Sequence, residues 1–463
     1  MATIAIAIGT LVLVIAGWRT LTSPRPRGWA LAAAVATSTF VPLYGAPREW
    51  VLTSSLGMMV LLLIATVRTP RVQPNQLTWV IPAVVGLVVI TRLSGLFSIG
   101  YSPTDTLTGI VMVGVLLVGR HIDDEDIATL GKVLSVVMIF HAAWAAGELF
   151  AGMDPLFPMG DGSVEITDRP NAIFPQIAGR PITSFAHPIP LATFSAFVGL
   201  LTLYLARTRK HILYWVVTVV AVATTTISGT RSAVLGLVAA GIILVVSTSK
   251  IPLFLRGLLT VIALGGASIS VVDAKLLSAI GLGSDFLDSG SYLHRSAVLN
   301  SFWHLFDRNT EEILFGSGTN RELIFQTGLV HGYLPGAYFF DNQYVAAFAM
   351  YGLVAFILFV ALSVYVLVRG QGLERAVGLS LIAMGFSFDF LLYFTASITW
   401  VLMIAATVAM RNAHTTDSDP TQRPRRDDKR ARRQVQAYAS RISNPQSTNG
   451  QTLLRDTETP NGR

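Results

Sequence analysis

Residues 224–237 read TTTISGTRSAVLGL. One apolar run leads into this stretch and another leaves it, with only Ser228, Gly229, Thr230 and Arg231 between them. So short a join between two runs of membrane length is a tight turn between two spans. Arginine keeps its proton at any accessible pH, and a charge at bilayer depth is costly. Arg231 is therefore either a loop charge at the membrane surface or a cation placed to meet an anion.

The rest of the chain repeats this pattern. Of its 463 residues 52% are hydrophobic and 13% charged, whereas a soluble protein carries about 25% charged residues. The apolar residues fall in blocks of about 18 to 22, enough to cross roughly 30 Å of hydrocarbon. Spans are expected near 2–18, 28–46, 50–67, 78–98, 104–119, 127–150, 187–206, 211–228, 231–249, 251–273, 338–368, 373–391 and 393–411. The expected fold class is thus an all-α polytopic membrane protein with about 12–13 transmembrane helices. The first run has no basic segment before it and no small-residue cleavage site before Arg19, so it reads as a retained span. There is no cysteine, which excludes a disulfide framework, a thiolate nucleophile and a cysteine metal site.

Loop charge gives the expected orientation. Alternate joins read RTLTSPRPR (19–27), RTPRVQP (68–74), RHIDDED (120–126), RTRKH (207–211), SKIP (249–252) and RGQGLER (369–375). All but the acidic 120–126 join are basic, and that one is flanked by Arg120 and Lys132. The other joins are poor in basic charge or long. The basic set, with the C-terminus, is expected to face the cytoplasm. Two outer-face loops follow, 151–186 and 274–337. The second contains SYLHRSAVLNSFWHLF, whose apolar spacing suggests a helix at the interface. The domain plan is a transmembrane unit, 1–411, and a disordered basic cytoplasmic tail, 412–463, polar, proline-containing and without apolar period. Its basic run reads as a cytoplasmic flank that can touch anionic lipid, with no nucleic-acid partner.

Four separate regions bring polar groups to the expected outer face. Arg180 and His187 lie in GRPITSFAHPIP, Arg231 in SGTR, Arg295 in the second loop, and Asp341 and Asn342 open the following span. The guanidinium fork matches phosphate oxygens bidentately, so several arginines in one cavity suit a pyrophosphate. A nearby carboxylate can act as general base on a hydroxyl. Each residue also has a plainer reading. An arginine at a span end commonly anchors to head groups. His187 before Pro188 can cap a helix start, and Asp341 can be an N-cap with Asn342 as a turn residue. His294, His304 and His331 read as loop histidines. The acidic run 123–126 reads as a solvated charge run, and no metal-spaced Asp-x-Asp occurs in the outer loops.

The order of these segments resembles the O-antigen ligase and O-antigen polymerase superfamily. GRPITSFAHPIPLATF (179–194) is similar to its Gly-Arg segment followed by Phe and an Asn-Pro-like pair, here His187-Pro188. TISGTRSAVLGLV (226–238) is similar to its Ser-Arg motif, with Thr230 in place of the serine. RSAVLNSFWHLFDRNTEEILFGSGTN (295–320) is similar to its Arg…Trp…Gly-x-Gly stretch, with Arg295, Gly316 and Gly318. DNQYVAAFAMYGLVAFILF (341–359) is similar to its His-Asn motif leading into a Gly-Leu span, with Asp341 where the family's ligases carry histidine. A carboxylate could take the same proton, or His331, ten residues upstream, could serve. The resemblance spans roughly residues 50–411.

The resemblance implies a GT-C-like fold in a bacterial plasma membrane and metal-independent glycosyl transfer from a polyprenyl-diphosphate-linked saccharide to an acceptor sugar hydroxyl. It implies Asp341, Arg231 and Arg180 as the catalytic set, and Arg295, His187, Asn342 and His331 as substrate-binding. It also implies no metal or other cofactor, which agrees with outer loops that hold no metal-spaced Asp-x-Asp. A transporter or flippase for an anionic lipid-linked glycan would use the same arginines without chemistry. It predicts polar residues deep in several spans and pseudo-repeated halves, which the sequence does not display. A non-catalytic scaffold would leave the arginines without a role.

Overall fold

The computed structural model describes residues 1–42, 46–69, 79–93, 103–157, 171–247 apart from 172, 175 and 178, scattered positions from 252 to 261, 290–332 and 338–418. These residues form helices and no strand. Most of the expected span 251–273, the middles of both expected outer loops and the tail beyond 418 lie outside the described residues. Backbone contacts divide the chain into two units, Met1–Arg411 and Asn412–Arg463.

Five helices are long and apolar enough to cross a membrane: α1 (Ala2–Thr22), α3 (Arg48–Arg68), α6 (Asp124–Ala151), α7 (Pro188–Arg209) and α13 (Gln343–Arg369). Shorter apolar helices accompany them: α4 (Val80–Leu93), α5 (Pro103–Gly119), α8 (Ile212–Ile227), α9 (Arg231–Ser247) and α15 (Phe394–Ser418). The architecture is that of a helical membrane protein. The remaining helices are α2 (Pro26–Ser38), α10 (Gly290–Asn300), α11 (Thr310–Phe315), α12 (Arg321–Gln326) and α14 (Leu373–Gly385).

Side-chain size decides what sits at the centre. The alanine-rich stretch Ala30–Ala36 of α2 is fully buried between α1, α3 and α6, where small residues let backbones approach closely. Leucine and valine point outward from the perimeter: Leu11, Val14, Leu63, Val136 and Val219 are all exposed. In a hydrocarbon solvent that exposure is favourable. α7 packs against α8, and α9 against α14.

Several helices end earlier than the apolar pattern indicates. α2 stops at Ser38 rather than near 46, because the Ser38 and Thr39 hydroxyls bond back to Val35 O and Ala36 O, both at 2.7 Å, in competition with the backbone ladder. α13 begins at Gln343, capped by Asn342, and α14 ends at Gly385 where a span to 391 is expected.

α13 is itself broken. Gly352 has φ +80° and ψ 179°, a conformation open to glycine, which strands the carbonyls of the turn before it. They are taken up from the segment between α10 and α12. Ser317 N–H donates to Ala349 O (3.0 Å) and Gly318 N–H to Met350 O (3.1 Å). Arg308 donates to Phe348 O (3.1 Å) and Ala349 O (2.9 Å), and its guanidinium lies 5.0 Å from the centre of the Phe348 ring. The glycine-rich 316–318 stretch is thus the patch over a helix break.

The far end of the bundle is bolted by charge. Asp123 caps α6 and pairs with Arg25 (2.8 Å), while Arg27 reaches Asp126 (3.2 Å) and Arg209 reaches Glu125 (2.7 Å). Asp126 is fully buried, its carboxylate accepting from Gly28 N–H at 3.1 Å. The expected solvated run at 123–126 is therefore corrected in part: Asp126 is a packing element, because Gly28 lets α2 close upon it.

Candidate functional site

At the other end of α6, Glu148 accepts from Ile182 N–H (2.8 Å) and Thr183 N–H (2.9 Å). The 24 residue steps from Asp124 to Glu148 place these two ends about 36 Å apart at roughly 1.5 Å per residue. Glu148 holds the 179–187 loop, and this loop carries Arg180 and His187.

Arg180 joins that loop to the α8–α9 hairpin. Its Nε donates to Ser228 O (2.9 Å) and its Nη2 to Thr230 Oγ1 (3.0 Å). Buried Asn171 donates from Nδ2 to Ile227 O (2.6 Å). Two side chains thus fill carbonyls that the end of α8 leaves open. Between them lies Gly229 at φ +70°, where a Cβ would stand 3.1 Å from both Arg180 Nε and Asn171 Oδ1. The tight SGTR join is therefore built around the Arg180 side chain, and Arg231 follows at once as the first residue of α9.

Arg231 is exposed and within reach of the Arg295 charge. Arg295, on α10, has its Nε 3.6 Å from Asp341 Oδ2, an ion pair at the start of α13. That Nε is buried and makes no hydrogen bond. Asp341 has φ +45°, and Asn342 after it caps α13 by accepting from Tyr344 N–H (3.0 Å) and Val345 N–H (3.1 Å). Asn342 is buried and its Nδ2 has no hydrogen-bond partner. Thr183, Ala186 and Asp341 are three of the four non-glycine residues with positive φ among the described residues. Such strain persists where surrounding structure over-determines the backbone, and it clusters at working sites.

His187 caps α7, its Nδ1 accepting from Ile189 N–H at 3.1 Å. Burial, with the charges of Arg180 and Arg295, pushes its pKa down to about 3. The ring is therefore neutral, and with Nδ1 accepting, its proton is on Nε2. Burial pushes the Asp341 carboxyl above the usual aspartate range, against the opposing pull of Arg295, His294 and Arg180.

The structure thus brings together Arg180, His187, Arg231, Arg295, Asp341 and Asn342. His331 is exposed, with its backbone N–H on Ser301 Oγ (2.9 Å) and its ring 5.9 Å from that of His304, while the next residue, Gly332, lies against buried His294. Three residues join the cluster that the motif reading passes over. His294 is buried, with Nε2 2.8 Å from Phe339 O, and lies near enough to act on the Asp341 carboxyl. Asp389, between α14 and α15, lies 3.5 Å from Arg321 of α12 and within reach of Asp341. A lone aspartate in the apolar run GFSFDFLLYF is the signal that points to it, since ionisable residues in such runs tend to be functional.

Among these named residues, four guanidiniums face two carboxylates. Such an end of a helical bundle can bind an anion through the arginines, and a carboxylate beside it can accept a proton. No metal-binding group of histidine, aspartate and glutamate occurs among the described residues. No protein-family model matches the chain, and no curated protein matches it.

Proposed function

We propose that this chain is a membrane glycosyltransferase. It moves or polymerises a polyprenyl-diphosphate-linked saccharide onto an acceptor sugar hydroxyl at the outer face of a bacterial plasma membrane, with its C-terminus in the cytoplasm. The observation that carries the reading is the convergence of Arg180, Arg231 and Arg295 from three separate segments, with Arg180 and Arg295 acting on one strained, partly buried Asp341 and Arg231 beside Arg295.

In this reading the diphosphate of the donor lies against the arginines. Asp341 takes the proton of the acceptor hydroxyl as its oxygen attacks the anomeric carbon. The bond from that carbon to the diphosphate oxygen breaks, and polyprenyl diphosphate leaves with the bonding pair. Charge grows on the leaving group, and preplaced cations stabilise that growth. Neutral His187, held by Ile189 N–H, offers an N–H to an oxygen of the donor. Arg180 fixes the turn that carries Arg231.

The test is transfer in membrane vesicles from a lipid-linked donor, with product analysis of a deletion strain. Single units still attached without long chains indicate a polymerase, whereas unattached lipid-linked polymer indicates a ligase. Movement of the donor across the bilayer without transfer would replace the reading with a flippase.

A further inference from the structure

Between α14 and α15 the chain leaves the α-helix over residues 386–393, FSFDFLLY. Three links tie this break to the arginine–aspartate cluster. Gln343, buried in the first turn of α13, accepts from Leu391 N–H at 2.7 Å. Arg321 Nη1 lies 3.5 Å from Asp389 Oδ2. The Tyr393 ring stands 6.3 Å from that of His187 and 5.0 Å from that of Phe388.

Asp389 is buried, with its side chain 6% exposed, yet Oδ2 makes no hydrogen bond. Two residues earlier the Ser387 hydroxyl is also buried and without a partner. A buried carboxylate oxygen with an ion pair at 3.5 Å but no hydrogen bond is incompletely satisfied, so a hydrogen-bond donor supplied from outside would stabilise it. A phosphate cannot be that donor, because it is anionic and would meet a second carboxylate. A hydroxyl can. A saccharide brings several hydroxyls together with an apolar face of C–H groups, and the partly exposed Tyr393 ring offers a flat surface for such a face.

We propose that Asp389, held by Arg321, is an acceptor subsite whose Oδ2 takes a hydrogen bond from a hydroxyl of the incoming neutral saccharide and holds it beside Asp341. This rests on the glycosyl-transfer reading. It divides the site into a cationic half for the diphosphate, Arg180, Arg231 and Arg295, and a half for hydroxyls along 386–393. Asp389 orients the acceptor and takes no proton.

The test uses the full chain in native membrane vesicles that carry the host's own glycolipid acceptor, fused with increasing amounts of acceptor-free phospholipid. Donor and acceptor dependence are then measured separately. Asp389→Ala should raise the acceptor content needed for half-maximal transfer about tenfold or more, the loss expected for one charge-assisted hydrogen bond. Donor dependence should not change. Asp389→Asn, of nearly the same size, should fall between the two, and Arg321→Lys should follow Asp389→Asn. An unchanged acceptor dependence in Asp389→Asn overturns the subsite, as does a shift confined to donor dependence. If Asp389→Ala loses protein level, the Asn and Lys variants decide alone. Absence of transfer in wild-type vesicles defeats the glycosyl-transfer reading itself, before any variant is compared.

Discussion

Gly229 offers a direct test of how the hairpin turn sets the site. Its φ of +70° is open to glycine, and a Cβ there would stand 3.1 Å from Arg180 Nε and 3.1 Å from Asn171 Oδ1. Gly229→Ala therefore meets two costs. The left-handed backbone costs a residue with a β-carbon about 1–2 kcal/mol. The close contacts require a shift of a few tenths of an ångström, and neither neighbour yields freely. Arg180 Nε is held on Ser228 O, and Asn171 Oδ1 accepts from Ile173 N–H (2.9 Å) and Phe174 N–H (3.0 Å). The turn must move, and Arg231 moves with it. We expect a stability loss of about 1–2 kcal/mol and a fall in transfer of roughly ten- to a hundredfold, since small misplacements of a positioned group are costly. Gly229→Asn separates the two effects, because asparagine tolerates the left-handed region but still carries a Cβ. It should recover stability more than transfer. The assay is melting in detergent beside transfer in vesicles, normalised to protein level. Wild-type melting and transfer in Gly229→Ala would refute the account of the turn, and full recovery of transfer in Gly229→Asn would reduce it to backbone strain.

Arg231→Lys should lose transfer by about a hundred- to a thousandfold, because lysine keeps the charge but not the fork; Arg19→Lys and Arg207→Lys, measured in the same vesicles, should stay near wild type. Asp341→Asn should fall steeply in that assay, since an amide of similar size cannot take the proton. Burial raises the Asp341 pKa, so the ionised base is present above that raised value and lost as pH falls through it; a rate profile should decline on acidification earlier than for an ordinary aspartate. His187, pushed down to about 3, should add no limb between pH 5 and 8. Arg308→Ala should lower stability by at least about 2 kcal/mol, because buried carbonyls at the α13 break lose their donor, which a melting curve reads directly.

The helical bundle was legible because its residues obey one rule, apolar blocks of membrane length. Where the structure departs from that rule, a local group competes with it. Ser38 and Thr39 hydroxyls end α2 early, Gly352 breaks α13 inside an unbroken apolar run, and 386–393 leaves the helix although it is almost wholly apolar. Periodicity carries none of this, since it reads apolar spacing and not the local hydroxyl bonds or the contacts distant in sequence that break a helix. The same limit applies at the site. Arginines near span ends could be picked out singly, but the Arg180 bond to Thr230 crosses 50 residues. Asp389 carries no motif and is found by its burial and by Arg321.

The arrangement of charge gives the cluster its direction. Arg231 and Arg295 lie close enough to oppose each other, and Arg295 pairs with Asp341 at 3.6 Å. Like charges brought together at the edge of a low-dielectric bundle destabilise the empty protein, and the folded frame must hold them there. That frame is visible: Glu148 on the 179–187 loop, Arg180 on the α8–α9 turn, Gln343 on the 386–393 break. Each uses a side chain at least half-buried to bond backbone groups of another segment, which helps to fix the segments that carry the arginines. A dianion entering beside Arg231 would relieve the repulsion without reorganising the frame. Cations fixed in advance act most strongly on charge that appears during reaction. On the proposed reading, the cost of keeping Arg231 and Arg295 together would be a source of selectivity for a ligand that carries a diphosphate.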